Sequence, residues 1–434
     1  MQTNYNSLAL TTLLQRLAGY LSGDSLNYLL GFVIYAWLVR SLTNLQYGYL
    51  SIATGIYQPF IVIVALGLDL IGPRVLAEHP GNLAYVVRRV QSLRLMFAIL
   101  VCLPVLLVIA FSYWHAHQPE VTVILIAAFS MILARVFDVS YVAVALGRPK
   151  PLVYSRALGL LTFLLILVGS RGVITRYVWV IPVLNAVGVM AGRLLLMRSL
   201  RVQLFGSIEN SRGPSRPVSW PILLSGARTG IGQLILFTSQ SLDVVLLNRY
   251  MDAGAVGEYA MVSRLYIFGM AVLGCVLFAF IPELVASISN GHFGRHHRRF
   301  IAASAGVGVL GALMFYFLGA SLTETLAGRP LYLLKSITPV YALVFFIMSL
   351  ANPFTSFLPS LKLDAEYLTA VLMGGCAAIG SDVLLIPRLG VVGAAWGQLI
   401  GTVVMGVYSA YVLRKHVMGR PVGTLAEAQA GAVV

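Results

Sequence analysis

The sequence predicts an all-α integral membrane protein: about 12 transmembrane helices in two six-helix bundles, related by pseudo-two-fold symmetry around a central cavity. Three observations lead there. Of the 434 residues, 59% are hydrophobic and 10% charged, with a mean hydropathy of +0.87, whereas a soluble globular domain is about 45–50% apolar and about 25% charged. A helix needs about 20 apolar residues to cross a ~30 Å hydrocarbon core, so twelve crossings consume roughly 240 and leave little for a soluble domain. Finally, runs without charge recur along the whole chain, separated by short segments of basic and turn-forming residues.

The first span, 11–39, opens with MQTNYNSLALTTLLQRLAGY, which has neither the basic region nor the cleavage site of a signal peptide, so it is expected to be retained. At the helical angle its Arg16, Tyr20, Asp24, Asn27, Gly31 and Tyr35 share an arc of about 100°, one polar stripe through the membrane. The second span is 46–72. The third, 95–113, lies in the clearest run of all, Leu95–Pro119, where 25 residues include no Asp, Glu, Lys or Arg. In the fourth, 121–146, Arg135 and Asp138 are helix neighbours. Spans 157–170 and 177–197 complete the first bundle, assigned to 1–199. Segment 200–219, rich in Pro, Ser and Arg, reads as a cytoplasmic linker, and 220–434 as the second bundle with a short cytoplasmic tail.

The seventh span, 220–248, aligns Arg228, Gly232, Ser239 and Asp243 within about 60°. The eighth, 255–286, holds Arg264. The ninth, 300–322, holds Gly306-Val-Gly308-Val-Leu-Gly311, which fits a dinucleotide-binding spacing but has no preceding strand, so helix packing is the expected role. The pairs Gly188/Gly192, Gly226/Gly230 and Gly397/Gly401 have the spacing of small-residue helix contacts. Spans 336–361, 367–386 with Asp382, and 392–413 close the chain.

Charge sets the orientation and narrows the function. The net charge of +15 is spread between apolar runs and forms no basic patch, zinc spacing or aromatic platform of a nucleic-acid binder. With a cytoplasmic start, the even-numbered loops and tail hold 18 basic residues and the odd loops 7, so both termini are expected in the cytoplasm. At a fixed offset of 209, Leu38, Arg40, Gly48, Tyr57, Leu68, Pro73 and Ala77 recur as Leu247, Arg249, Gly257, Tyr266, Leu277, Pro282 and Ala286, the pattern of a parallel repeat with a cavity between its halves. Cys102, Cys275 and Cys376 follow no ligand spacing and read as packing residues, and His292, His296 and His297 read as part of a basic, headgroup-facing loop. The longest outer loop, around 323–335, is too short to carry acceptor chemistry, and no catalytic constellation appears; the chain reads as a carrier, not an enzyme.

Five arginines fall within spans: Arg16, Arg135, Arg193, Arg228 and Arg264. An Arg at the bilayer centre costs ~2.5–3.5 kcal/mol even on the lenient insertion scale, so such residues face a wet cavity or a partner. Arg193 is close enough to the cytoplasmic end to snorkel. Arg135 and Asp138 admit either a structural pair or a functional role. Arg16, Arg228 and Arg264 are cavity candidates, and guanidinium forks suit phosphate and pyrophosphate; the chain's 21 tyrosines supply aromatic faces for sugars.

Several segments resemble a known family. RSLTNLQYGYLSIA from Arg40, Leu66-Gly-Leu and Pro73-Arg-Val-Leu-Ala77 resemble the opening hairpin of polysaccharide-unit (O-antigen type) flippases of the multidrug/oligosaccharidyl-lipid/polysaccharide exporter superfamily. Asp243, Ala255-Val-Gly257-Glu-Tyr259 and Arg264 echo it, and IPRLGVVGAA from Ile386 is similar to the family's pattern before its last helix. Two C-terminal helices typical of the lipid II flippase branch are missing, which favours the twelve-helix branch. The resemblance implies a bacterial inner-membrane flippase moving oligosaccharides on undecaprenyl pyrophosphate to the periplasmic leaflet by alternating access, among membrane lipids and with polysaccharide polymerase and chain-length proteins as partners. It implies no cofactor, a drive from membrane potential and/or antiport of H+ or Na+, head-group contacts at Arg16, Arg228 and Arg264, and coupling or gating acids at Asp24 and Asp243; by their own placement within spans, Arg135 joins the first group and Asp138 and Asp382 the second. The alternative within the superfamily is a multidrug or small-molecule antiporter, whose cavity would feature acids for cationic drugs. A major-facilitator type carrier and an integral-membrane glycosyltransferase or polymerase are the other classes weighed.

Overall fold

In hydrocarbon, backbone N–H and C=O groups have no water to bond, so a chain this apolar satisfies them by coiling. The computed structural model describes residues 26–65, 83–146, 148–206, 220–289, 293–358, 361 and 363–418, and it is helical throughout these, without a strand. In chain order the helices are α1 (Leu26–Ser41), α2 (Asn44–Ala65), α3 (Leu83–Phe97), α4 (Leu103–His115), α5 (Pro119–Val136), α6 (Ser140–Ala145), α7 (Pro149–Gly169), α8 (Arg171–Ile174), α9 (Val180–Gly206), α10 (Trp220–Tyr250), α11 (Ala253–Ser289), α12 (Phe293–Ala327), α13 (Leu334–Thr355), α14 (Asp364–Leu389) and α15 (Val391–Leu413). Among the described residues, 10 stretches are long and apolar enough to cross a membrane; α1 and α11 occupy the two remaining predicted positions, so each predicted span has its helix.

The elements start and stop where local chemistry directs. His117, at φ 59°, makes the tight reversal between α4 and α5, and Pro119 then opens α5 with Glu120 in its first turn, favourable at a helix N-terminus because no N–H is lost and the acid meets the positive dipole end. Gly328, at φ 67°, follows the end of α12, and Gly390, at φ 58°, separates α14 from α15; both adopt the left-handed conformation that costs a side chain most. One widened turn, Ala98–Cys102, joins α3 to α4, and α5 breaks at Phe137–Val139 before α6 resumes within the same apolar stretch, Pro119–Ala145.

The described residues divide into two compact units, one of Leu29–Ala260 and one running from Met261 onward together with 26–28. In the first, α2 lies centrally against α5 and α10, and α9 packs on α7 and α5. Burial follows: 56% of the apolar window of α2 is inside, against 22% for Val90–His115, whose Leu100, Val108 and Phe111 point outward. In the second unit, α13 packs against α12 and α15, and α15 against α14. Tyr266, Phe315, Tyr341 and Phe345 form its aromatic core, with Tyr266 and Tyr341 centroids 5.4 Å apart.

Glycine spacing is used for close helix approach. Gly188 and Gly192 of α9 meet the backbone of Gly159 and Ser155 in α7, and Gly401 of α15 meets Gly374 and Ala378 in α14. Gly308 and Gly311 of α12 pack on Ser349 and Phe345, so two of the three motif glycines serve packing, while Gly306 has open space beside it. His297 differs from its predicted place in a headgroup-facing loop: it is buried, its Nε2 lies 3.3 Å from the Pro353 carbonyl oxygen, and its ring stands edge-on to Phe354. His296 is exposed.

Candidate functional site

The break in α5 creates the main buried ionic centre. Phe137 and Val139 leave the helical backbone path, and Asp138 between them is almost fully buried. Its Oδ1 accepts the Ser140 N–H at 2.9 Å, the local bond by which an aspartate turns the chain into a new helix. Its Oδ2 accepts from Arg135 Nη1, one turn back in α5, and from Arg193 Nη2 of α9 at 3.4 Å. Arg193 Nη1 donates to the Ala134 carbonyl, which also accepts the Phe137 N–H at 3.3 Å at the end of α5. The sequence-level expectation that Arg193 snorkels is therefore corrected: it turns inward to the break.

A third guanidinium was not legible as a site residue. Arg94 stands at the edge of a basic segment, before the charge-free run, and is assigned by sequence to a cytoplasmic loop border; in the structure it lies in α3 with 0% exposure. Its Nη1 donates to the Asp138 backbone oxygen at 2.6 Å and its Nη2 to the Ala65 oxygen of α2 at 3.2 Å, and the guanidinium lies 5.3 Å from the Tyr141 ring centroid. The Asp138 oxygen lies just past the C-terminus of α5, where the negative end of the dipole suits a cation. Beside this centre, Val87, Val90, Val139, Tyr141, Val142, Leu196 and Leu200 form a buried apolar cluster.

A second polar centre in the same unit joins the end of α10 to the start of α11. Asp243, buried, accepts from the Tyr259 hydroxyl and from the Val244 N–H at 2.6 Å. One residue before Tyr259, Glu258 accepts from Asn44 Nδ2 at 3.1 Å. Asn248 Nδ2 donates to Gln118 Oε1 at 2.9 Å. Glu258 and Asn44 both lie in segments that carry the family resemblance, and neither is a site candidate by sequence.

At this crossing the glycines matched at offset 209 come together. A Cβ on Gly48 would run into the Ala253 carbonyl, and one on Gly257 into the Asn44 carbonyl and, at 3.0 Å, the Gly48 nitrogen. Position 253 is 44 advanced by the same offset, so the contact is reciprocal, 48 to 253 and 44 to 257, as across a two-fold axis.

The remaining predicted residues lie apart. Arg264, on α11, is exposed. Asp382 of α14 is buried against Gly397 of α15, where an added Cβ would strike its carboxyl. Arg16 and Asp24 lie outside the described residues, and Arg228 lies on α10 with its side chain outside them.

Comparison with known proteins follows the fold. The polysaccharide biosynthesis protein family matches residues 13–287, more than half of the chain. No curated protein matches the sequence. Among solved structures, an inward-facing multidrug resistance MATE family transporter of the MOP superfamily superposes with a TM-score of 0.69 at 14% identity, covering 92% of this chain and 95% of that one. A Vibrio cholerae MATE transporter gives 0.60 at 15%, covering 97% and 99%, and a MATE in the bent conformation gives 0.60 at 15%, covering 97% of each. These identities speak for the fold, and the family match for descent: the chain belongs to the polysaccharide biosynthesis protein family and has the multi-pass helical fold of the MATE transporters of the MOP superfamily.

Proposed function

We propose that this transporter is a flippase carrying oligosaccharide units linked to undecaprenyl pyrophosphate from the cytoplasmic to the periplasmic leaflet by alternating access. One conjunction carries the reading: a transporter fold within a family of polysaccharide biosynthesis. A carrier in such a family has the membrane-anchored building block as its chemically fitting cargo, since a free polymer has no tail to hold it in the bilayer. The surplus of 30 basic over 15 acidic residues suits an anionic pyrophosphate head. Arg16, Arg228, Arg264 and Arg135 are its proposed head-group contacts; Asp24, Asp243, Asp138 and Asp382 are the proposed coupling or gating acids, with H+ or Na+ as coupling ion. The proposed plan is two six-helix halves, 1–199 and 220–434, in the bacterial inner membrane with both termini cytoplasmic, handing the cargo to a polymerase. An anion leaving a negative cytoplasm gains ~2.3 kcal/mol per charge per 100 mV, so membrane potential contributes to the drive.

The test is complementation of a flippase-deficient strain, scoring surface glycan. Wild type restores glycan; Arg228→Ala and Arg264→Ala reduce it. Expression at normal level without restored glycan refutes the reading. Multidrug export, named for the MATE neighbour, is the second reading; raised drug tolerance in the same strain, with no glycan, would establish it instead. In proteoliposomes, collapse of the potential should slow flipping, and an unchanged rate refutes that part.

A further inference from the structure

We propose that the Asp138 carboxylate is an internal stand-in for a phosphate group, and that a phosphate oxyanion binds Arg135 and Arg193 by displacing it. This rests on the proposed function for the source of that phosphate.

The geometry divides the three arginines by task. Arg94 is fully buried, with both terminal nitrogens committed to backbone oxygens, Asp138 O and Ala65 O. It anchors the chain at the break and has no exposed face for cargo. Arg193 is anchored at one nitrogen by the Ala134 carbonyl, while its other nitrogen makes the longer bond, 3.4 Å, to the Asp138 carboxylate. Arg135 is the most open member, its side chain 20% exposed against 13% for Arg193 and 8% for Asp138. What surrounds the carboxylate is therefore a preformed anion cradle: two guanidiniums on one oxygen and a backbone N–H, that of Ser140, on the other.

A phosphate offers three acceptor oxygens to the same donors, and a guanidinium fork matches it bidentately. Asp138 lies in a stretch that has already left the helix, so its side chain can turn out of the cradle at the cost of its Ser140 N–H bond, a donor that an incoming phosphate oxygen takes over. A site occupied by its own carboxylate binds an external anion weakly, because apparent affinity falls with the fraction of molecules in which the cradle is open. Weak binding suits a carrier, which must release what it takes.

The experiment titrates the full chain in zwitterionic nanodiscs with inorganic pyrophosphate in one arm and a short-chain polyprenyl pyrophosphate in the other. Asp138→Asn removes the competing charge and should tighten binding by about tenfold or more, and Arg193→Gln should abolish it. Equal affinities in the two arms mark a site for the free anion, and a tighter prenyl arm marks one for a lipid-linked head. Binding to Asp138→Asn no tighter than to wild type, or undiminished in Arg193→Gln, overturns the exchange. Should Asp138→Asn fail to fold, wild type decides: pyrophosphate must protect Arg135 from an arginine-selective dicarbonyl, read by peptide mass spectrometry, and absence of protection is the refuting result. Failure here with intact complementation leaves the proposed function standing; exchange without restored glycan does the reverse.

Discussion

Gly48→Ala is the most informative single substitution, because the atom it meets belongs to the backbone. The new Cβ would lie 2.6 Å from the Ala253 carbonyl carbon and closer still to its oxygen, whereas carbon atoms rest at about 3.5–4.0 Å. The oxygen sets the movement: the start of α2 must shift from the start of α11 by roughly 1.5 Å or more. Overpacking of this kind costs about 1–3 kcal/mol. The movement also stretches the Asn44–Glu258 hydrogen bond, now 3.1 Å, and a bond to a charged group is worth about 1.5–3 kcal/mol. The two losses overlap in one displacement, so a destabilisation of roughly 2–4 kcal/mol is expected. The assay is reversible unfolding of the purified chain in bicelles, with Gly306→Ala as control, since nothing lies within 4 Å of a Cβ there. Replacing Ala253 by Gly cannot rescue the variant, as the clash is with main chain. A Gly48→Ala protein within about 0.5 kcal/mol of wild type, the range of ordinary surface changes, refutes the crossing.

Other outcomes follow from the same geometry. Arg94→Lys loses the fork that spans Asp138 O and Ala65 O; unfolding should ease by about 1.5–3 kcal/mol, with little salt dependence because the group is buried. Tyr259→Phe strips the hydroxyl from the buried Asp243 carboxylate and should cost about 1–3 kcal/mol, while in the double variant with Asp243→Asn the two losses should fall well short of additive. Gly308→Ala and Gly311→Ala should destabilise, since their Cβ atoms would enter Ser349 and Phe345, and Gly306→Ala should not; equal effects at all three, read by the same unfolding, would remove the packing account of the motif.

The helix order was legible because hydrocarbon forces one structural solution and charge-free runs mark it. The small-residue pairs were also legible: Gly188/Gly192 and Gly397/Gly401 announce close approach by spacing alone, and the structure supplies the partner each meets. The repeat offset placed Gly48 and Gly257 as equivalents; their touching could not be read, since equivalence says nothing of which faces meet. The ionic centre was half legible. Arg135 and Asp138 sit one turn apart on one helix, so periodicity reveals them, whereas Arg94 and Arg193 arrive from α3 and α9 across 44 and 55 residues of chain. Charge density misled at Arg94, because a basic segment before an apolar run looks like a membrane border whether its last guanidinium faces water or turns inward. The break at Phe137–Val139, which draws the arginines in, has no proline or glycine to announce it.

Arg94 reads chain path, not chain identity. Its donors end on oxygens that every amino acid carries, at positions 65 and 138, so the side chain at 65 is free to drift so long as it fits, while the arginine itself has no substitute of equal reach. Mutational tolerance around this joint is thus lopsided: one irreplaceable long side chain grips two backbone carbonyls whose own residue types hardly matter to the grip.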